Sequence, residues 1–223
     1  MKHLWIIANF KSNKNLMEVL EWVEQVGPKL VKGENLKVVV CPTFSSLEEV
    51  AKKIKVGNYQ MLVGSQDLSP FEEGAYTGEE AASILKQFVD LAILGHSERR
   101  QNFHETDEMV AKKVDEAIAH DIIPLVCVQG SDVPIPGKCK LAAYEPVFAI
   151  GTGNPDTPEN ANLIAKALKD KYGQDLEVLY GGSATSANCK DFVNQENISG
   201  LLIGKSSLDP QEFLKIIKEC SGF

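Results

Sequence analysis

Short runs rich in apolar and β-branched residues recur along the chain, separated by segments in which apolar positions follow a helical spacing. This alternation is typical of a parallel sheet whose strands are joined by crossover helices. The pattern predicts strands at Leu4–Asn9, Leu36–Cys41, Gln60–Ser65, Leu91–Gly95, Ile122–Cys127, Leu141–Glu145, Glu177–Gly181 and Gly200–Gly204. A closed (β/α)8 barrel is favoured over an open doubly wound sheet, because no Gly-x-Gly-x-x-Gly turn follows the first strand.

Apolar residues three and four positions apart predict helices that pack on the outside of this sheet. Two such faces comprise Leu16, Val19, Leu20, Val23, Val26 and Leu30, and Val110, Val114, Ala117 and Ile118. Thr157-Pro158 and Asp209-Pro210 predict the starts of two later helices. In each pair a side-chain oxygen can cap the first turn, and the proline lacks an N–H that this turn leaves unpaired in any case.

The connection between the fifth and sixth strands departs from the alternation of strands and helices. Its sequence, CVQGSDVPIPGKCK, holds two prolines and two glycines and is too short for a full crossover helix. We therefore predict a loop in place of the helix after strand 5. No linker or charge block divides the chain, so residues 1–223 are expected to form a single catalytic domain.

Charge and cysteine usage exclude several functional classes. The chain carries 23 Lys and Arg against 31 Asp and Glu, a net charge of -8, which argues against binding to nucleic acid or an anionic membrane. The five cysteines form no CxxC pair, as expected of free thiols in a reducing compartment. The apolar stretch from Leu4 to Ala8 is too short for a signal peptide or a membrane span, so a cytoplasmic location is expected.

Polar residues follow the predicted strands at the ends where parallel barrels carry their active sites. After the first strand, Lys11 can hold a substrate anion, or it is an ordinary surface lysine. After the fourth, His96 can polarise a carbonyl or shuttle a proton, or it is structural. Glu98 is interpreted as part of the scaffold, and a buried Glu98 paired with Lys11 is one arrangement of this rim.

The end of the sixth strand gives the sharpest local signal. Glu145 leads into a segment bounded by Pro146 at one end and by Gly151 and Gly153 at the other, with apolar residues between them. This composition suits a lid over a general base. The alternative is an ordinary strand-to-helix loop that begins with a solvated glutamate.

Turns rich in glycine and serine follow the last two strands, at Gly181-Gly182-Ser183 and Gly204-Lys205-Ser206-Ser207. Backbone N–H groups without bulky side chains bind anions well, and barrels often place a phosphate site after strands seven and eight. Each turn alone is weak evidence, since turns use glycine anyway. Their positions on the final two strands favour a phosphate-binding site.

Taken together, these segments resemble the triose-phosphate isomerase family over nearly the whole chain. The similar segments are AYEPVFAIGTG, LGHSERR, ANFK and YGGS, in the family's order. The resemblance implies a TIM barrel that interconverts dihydroxyacetone phosphate and D-glyceraldehyde 3-phosphate in glycolysis and gluconeogenesis, with no metal or organic cofactor. It also implies the catalytic residues Glu145, His96 and Lys11 and the substrate-binding residues Asn9, Lys11, Gly151, Ser183, Gly204 and Lys205.

The roles implied by the resemblance are specific. Glu145 would move a carbon-bound proton. His96 would stabilise the enediolate oxygen as a neutral donor, because in this family a helix N-terminus disfavours the imidazolium form. Asn9 and Lys11 would position the substrate. The Gly74–Glu79 segment is similar to the family's dimer loop, which implies a homodimer in which Thr77 reaches toward the partner's site.

Several positions depart from the family pattern. Phe148 stands where the family usually has tryptophan, and Asp67 where asparagine is common. Gln129-Gly130 replaces a Gly-Glu pair beside the shortened connection. Lys205 replaces a second glycine, and we hypothesise that its amide still binds phosphate.

Two other functions remain alternatives. One is a phosphosugar aldolase that works through a Schiff-base lysine, but no lysine stands on the predicted sixth strand. The other is a phosphometabolite-binding barrel without catalytic activity. The presence of Lys11, His96 and Glu145 counts against this second alternative.

Overall fold

The computed structural model describes residues 3–30, 35–147 and 154–221. Within these ranges, eight parallel strands pair in chain order and close into a barrel, which confirms the predicted fold class. The strands are β1 (Leu4–Asn9), β2 (Leu36–Cys41), β3 (Leu62–Ser65), β4 (Leu91–Leu94), β5 (Ile123–Val128), β6 (Leu141–Tyr144), β7 (Glu177–Tyr180) and β8 (Ile198–Ile203). All eight were predicted: β1 and β2 have the predicted ends, and the other six have at least one end displaced by one or two residues.

Helices of very different length surround the barrel. They are α1 (Leu16–Val26), α2 (Leu47–Gly57), α3 (Ala82–Leu85), α4 (Ser97–Phe103), α5 (Asp107–Ala119), α6 (Pro158–Tyr172), α7 (Cys189–Val193) and α8 (Pro210–Ser221). The face predicted to run to Leu30 ends earlier, because a 3-10 turn begins at Gly27-Pro28. Leu30 nevertheless packs against the core. No helix in the described part of the chain is long and apolar enough to cross a membrane.

Both predicted helix starts are confirmed. The Thr157 hydroxyl accepts a hydrogen bond from the backbone N–H of Asn160 at 3.2 Å. Asp209 accepts one from the backbone N–H of Gln211 at 2.9 Å. Such caps satisfy N–H groups that the first helical turn cannot pair internally, so they fix where α6 and α8 begin.

Alternation of side chains along each strand builds two apolar layers and a polar rim. On β1, Trp5 and Ile7 belong to the cluster inside the barrel, whereas Ile6 and Ala8 pack in the layer beneath the helices. On β6, Leu141 and Ala143 lie inside. The next inward positions are therefore Asn9 and Glu145, which brings two polar residues to the same mouth of the barrel.

Residues 129–140 form a loop with no helix, as predicted. Ile135 from this loop is only 4% exposed and packs into the layer outside the strands. The Lys171 ammonium, on α6, donates a hydrogen bond to the Ser131 carbonyl at 3.3 Å. Lys138 pairs with Asp115 of α5 at 3.4 Å. The loop is thus joined to both flanking helices, and Ile135 covers strand surface.

Replacing Ile135 with alanine should reduce the free energy of unfolding by about 2–5 kcal/mol. The change removes a buried side chain that packs on the outer face of the strands, where the connection has no helix. Leu163→Ala is the matched control, since Leu163 is 63% exposed, and its effect should stay within about 0.5 kcal/mol. Denaturant unfolding of both variants measures the difference. Equal effects would contradict a core role for Ile135.

Candidate active site

Lys11 stands at the barrel mouth in an unusual backbone conformation, with φ of 51°. The Asn9 side chain accepts a hydrogen bond from the Lys11 N–H at 3.0 Å. The Gln66 amide donates to the Lys11 carbonyl at 2.9 Å. A non-glycine residue with positive φ persists only where its surroundings hold it, and such residues cluster at functional sites. Asn9 and Gln66 therefore fix the direction in which the Lys11 side chain leaves the strand.

The Lys11 ammonium pairs with the Glu98 carboxylate, as the sequence suggested. The pair is not buried, as that possible arrangement had it, because the Glu98 side chain is 41% exposed and that of Lys11 25%. Such a pair contributes little to stability. A Cβ added to Gly204 would lie 3.3 Å from Lys11 Cε, so the turn after β8 passes directly beside this lysine. An anion bound at that turn would meet the ammonium.

His96 lies between the end of β4 and the first turn of α4. It caps that helix, with Nδ1 accepting a hydrogen bond from the backbone N–H of Glu98 at 3.2 Å. The preceding Gly95 has φ of 70°, a value that glycine adopts without steric cost. Because Nδ1 acts as an acceptor, we assign the proton of a neutral imidazole to Nε2.

Glu145 is 1% exposed and meets His96 directly. Its Oε2 accepts a hydrogen bond from the backbone N–H of Ser97 at 2.9 Å, with the Gln129 amide further away at 3.5 Å. Its Oε1 lies 2.8 Å from His96 Nε2. Among the described residues, however, Oε1 has no well-aligned hydrogen-bond donor. The carboxylate is therefore anchored by one oxygen, while the other keeps capacity to accept a proton.

Glycine at position 181 makes room for this carboxylate. A Cβ there would lie 3.0 Å from Glu145 Cγ and 3.2 Å from the Tyr144 carbonyl oxygen. The Gly181 N–H donates to that same carbonyl at 2.7 Å. The turn after β7 thus supports the base as well as the predicted phosphate site.

The protonation of His96 depends on Glu145. Burial lowers the pKa of His96, but the charge of the Glu145 carboxylate, 2.8 Å from Nε2, outweighs burial and leaves the pKa raised. The shift is opposite to the one expected from the helix N-terminus. Burial and the neighbouring charge of Glu145 also raise the pKa of the Cys127 thiol well above its usual range, so this thiol remains protonated.

The predicted phosphate-binding residues lie in two adjacent turns. The Ser183 carbonyl accepts a hydrogen bond from the Asn188 amide at 3.2 Å. The Gly204 carbonyl accepts from the Ser207 hydroxyl at 2.7 Å. The side chain of Lys205 is exposed to solvent. Gly151 and the rest of the predicted lid from 148 to 153 lie outside the described residues.

Sequence reasoning did not predict a cluster of two cations and two carboxylates, of which Lys113, Asp67 and Glu105 are buried and Arg99 is partly exposed. Lys113 Nζ lies 2.6 and 2.8 Å from the Asp67 oxygens and also pairs with Glu105, while Arg99 lies 2.7 Å from Asp67. Burial raises the pKa of Asp67 to about 6, although Lys113 opposes the shift. The cluster fixes the segment after β3 against α4 and α5. The sequence signal for this cluster was Lys113, a charged residue on the apolar face of α5, where it needs buried carboxylate partners.

The chain is similar to known proteins over nearly its whole length. The chain matches the family model described as Triosephosphate isomerase over residues 4–133 and 138–220, and the gap falls in the shortened loop. A protein named triosephosphate isomerase from Caldanaerobacter subterraneus subsp. tengcongensis is 39% identical, covering 97% of this chain and 99% of the relative. One from Clostridium botulinum (strain Langeland) is 38% identical with the same coverage. One from Alkaliphilus oremlandii is 38% identical, covering 95% and 97%.

Replacing Glu145 with glutamine should lower the pKa of His96, because the charge that raises it is removed while burial, which lowers it, remains. Titration of the imidazole resonances by NMR measures the change. The control is Glu159→Gln, which removes an exposed carboxylate on α6. An unchanged pKa in the Glu145 variant would show that the two side chains do not interact in solution.

Proposed function

The chain belongs to the triosephosphate isomerase family, and from this premise we propose that it interconverts dihydroxyacetone phosphate and D-glyceraldehyde 3-phosphate. The observation that carries the proposal is the buried contact between Glu145 and His96 at the barrel mouth. A carboxylate base and an imidazole donor side by side are what proton transfer between adjacent carbons requires. The same reaction serves glycolysis and gluconeogenesis.

Glu145 is assigned as the base. An oxygen of its carboxylate takes a proton from C1 of dihydroxyacetone phosphate, and the C–H electrons form the C1–C2 double bond of an enediolate. The carbonyl electrons move to the oxygen on C2. The carboxylic acid then returns the proton to C2. In the same stage the O–H bond of the C1 hydroxyl breaks, its electrons form the C1 carbonyl, and that proton passes by way of His96 to the oxygen on C2, which yields the aldehyde isomer. Oε1, which has no aligned donor among the described residues, is the oxygen suited to this step.

His96 is assigned as the donor to the developing oxyanion, through Nε2. The two opposing influences on its pKa explain how it serves as a neutral donor. When Glu145 turns toward the substrate and accepts a proton, its negative charge no longer raises the pKa of His96. Burial then dominates and favours neutral imidazole at the moment when the oxyanion needs a hydrogen bond.

Phosphate recognition is assigned to the turns after β7 and β8. The backbone amides of Ser183, Gly204 and Lys205 supply donors, and Lys11 supplies a positive charge beside Gly204 in a protein of net charge -8. Gly151 completes the proposed set. Binding energy from this non-reacting group can hold the substrate in place and exclude water from the enediolate.

The described geometry favours this function over both alternatives. A Schiff-base aldolase needs a buried lysine at the reacting centre, whereas Lys113, the buried lysine that we find in the described ranges, lies between the carboxylates of Asp67 and Glu105. A barrel that only binds phosphometabolites has no need for a carboxylate at His96.

We also propose that the protein is a homodimer joined through the Gly74–Glu79 segment. Residues 71–79 are exposed, and the rings of Phe71 and Tyr76 stack with centroids 4.2 Å apart. The base of the loop is closed by a hydrogen bond from the Ser69 N–H to the Glu80 carbonyl at 2.9 Å. An exposed aromatic pair on a preorganised loop suits a symmetric protein interface.

We propose a cytoplasmic location, which suits a glycolytic reaction and a protein with an excess of acidic residues and free thiols. Nucleic acid and membranes are not proposed as partners, because the net charge of -8 opposes both. One catalytic domain is proposed for residues 1–223, because a single closed barrel accounts for all eight strands of the described ranges.

Glu145→Gln should lower kcat by about 10²- to 10⁴-fold, because it removes the base while keeping its shape. Coupled assays in both directions, with no added metal, measure the loss. Inhibition by inorganic phosphate should persist, which shows that the site still forms. Glu159→Gln serves as the control and should retain wild-type turnover. A fully active Glu145→Gln variant would exclude Glu145 as the base.

Tyr76→Glu should convert the protein to a monomer with lower activity, because a charge would be buried at the proposed interface and Thr77 would no longer reach the partner's site. Sedimentation velocity at micromolar concentration measures the assembly state. Leu163→Glu is the control, since Leu163 is exposed on α6 and lies outside the loop. A wild-type protein that is fully active as a monomer would overturn the proposal.

A further inference from the structure

A buried carboxylate outside the predicted site joins the ends of two active-site strands. Asp156 is 8% exposed. Its Oδ2 accepts hydrogen bonds from the Tyr144 hydroxyl at 3.0 Å and from the Asn160 amide at 2.7 Å. Its Oδ1 accepts from the Thr157 N–H at 2.8 Å, and its own N–H donates to the Tyr180 hydroxyl at 2.9 Å. Asp156 therefore links β6, β7 and the start of α6.

The two tyrosines occupy informative positions. Tyr144 is the last residue of β6 and directly precedes Glu145, and Tyr180 is the last residue of β7 and directly precedes Gly181. Side chains alternate along a strand, so Tyr144 points outward toward α6 where Glu145 points into the barrel. A twist of the backbone at the end of β6 would move the Tyr144 and Glu145 side chains together, because they leave adjacent backbone positions. The hydrogen bond that holds the Tyr144 hydroxyl opposes such a twist and thus restrains the direction of the carboxylate.

We propose that Asp156 is a positioning residue for the reaction, which sets the orientation of Glu145 by anchoring the Tyr144 hydroxyl to the first turn of α6. This inference rests on the proposed isomerase function, in which Glu145 is the base. Asp156 acts through Tyr144 and touches neither the substrate nor the reacting atoms. A displacement of about 1 Å at a catalytic group can cost about 10²-fold in rate, so a hydrogen bond that prevents it affects turnover.

The chemistry of the cluster calls for a carboxylate at this position. Three donors converge on two oxygens that only accept: the Tyr144 hydroxyl, the Asn160 amide and the Thr157 N–H. An asparagine would present its NH₂ group either to the Thr157 N–H, where two donors would face each other, or to Tyr144 and Asn160, where both side chains would have to reverse their hydrogen bonds. Burial, followed by the charge of Asp156, raises the pKa of Tyr144, so its hydroxyl remains a donor.

The test is a double-mutant cycle with Asp156→Ala, Tyr144→Phe and the combined variant, followed by steady-state kinetics in both directions. Each single variant should lower kcat by about 10- to 100-fold. KM and the inhibition constant for inorganic phosphate should stay within about twofold, since the phosphate turns are intact. The losses should not multiply in the double variant, because both changes remove the same hydrogen bond.

Two further variants complete the design. Asp156→Asn should lose turnover to a similar degree, because the amide cannot replace both oxygens. Asp170→Ala is the matched control on α6, where Asp170 pairs with Lys166 in solvent at 2.6 Å, and it should keep wild-type kcat. Tyr144→Phe removes a single oxygen atom and keeps the test decisive where the Asp156 variants fail to fold.

A second readout is independent of turnover. Because Glu145 raises the pKa of His96, a loosened Glu145 should lower the pKa of His96 in the Asp156→Ala and Tyr144→Phe proteins, as NMR titration can measure. Variants that lose thermal stability but keep kcat and the His96 pKa would overturn the proposal, since the network would then only stabilise the fold. Losses of kcat that multiply in the double variant would overturn it too. If the wild-type protein is inactive and the variants still lower the pKa of His96, the isomerase function is refuted, while the positioning of Glu145 by Asp156 stands.

Discussion

The contact between Glu145 and His96 is the constraint on which the proposed chemistry depends. A carboxylate that is 1% exposed lies 2.8 Å from an imidazole nitrogen, in a region where charge interactions are much stronger than in water. The carboxylate raises the pKa of His96 while burial lowers it. When Glu145 takes up a proton, it therefore no longer raises the pKa of His96. The protonation of the base and that of the donor are coupled directly, without a further group.

The barrel makes this contact possible because it fixes strand order and side-chain direction together. Glu145 follows β6 and His96 follows β4, yet both reach the same mouth since all strands run parallel and close in chain order. Surrounding residues restrain the groups at this mouth. Asn9 and Gln66 hold the backbone of Lys11 by hydrogen bonds. The Ser97 N–H holds the Glu145 carboxylate, and Gly181 leaves space for it.

The loop at 129–140 shows that this arrangement tolerates the loss of a crossover helix. Ile135 supplies apolar cover, and contacts from Lys171 and Lys138 join the loop to α6 and α5. The loop also leaves Gln129 beside Glu145 at 3.5 Å. Strands β5 and β6 therefore remain paired in register although no crossover helix joins them.

The sequence by itself determined the strands, the capped helix starts, the missing helix and the residues at the strand ends. These features depend on local periodicity and on residues adjacent in the chain, such as Thr157-Pro158 or the glycines after β7. Only the tertiary structure decided that Glu98 is exposed, that Lys113 lies between two carboxylates and that Asp156 binds Tyr144. Those contacts join separate segments, and their partners are chosen by the closure of the barrel, which no local pattern specifies.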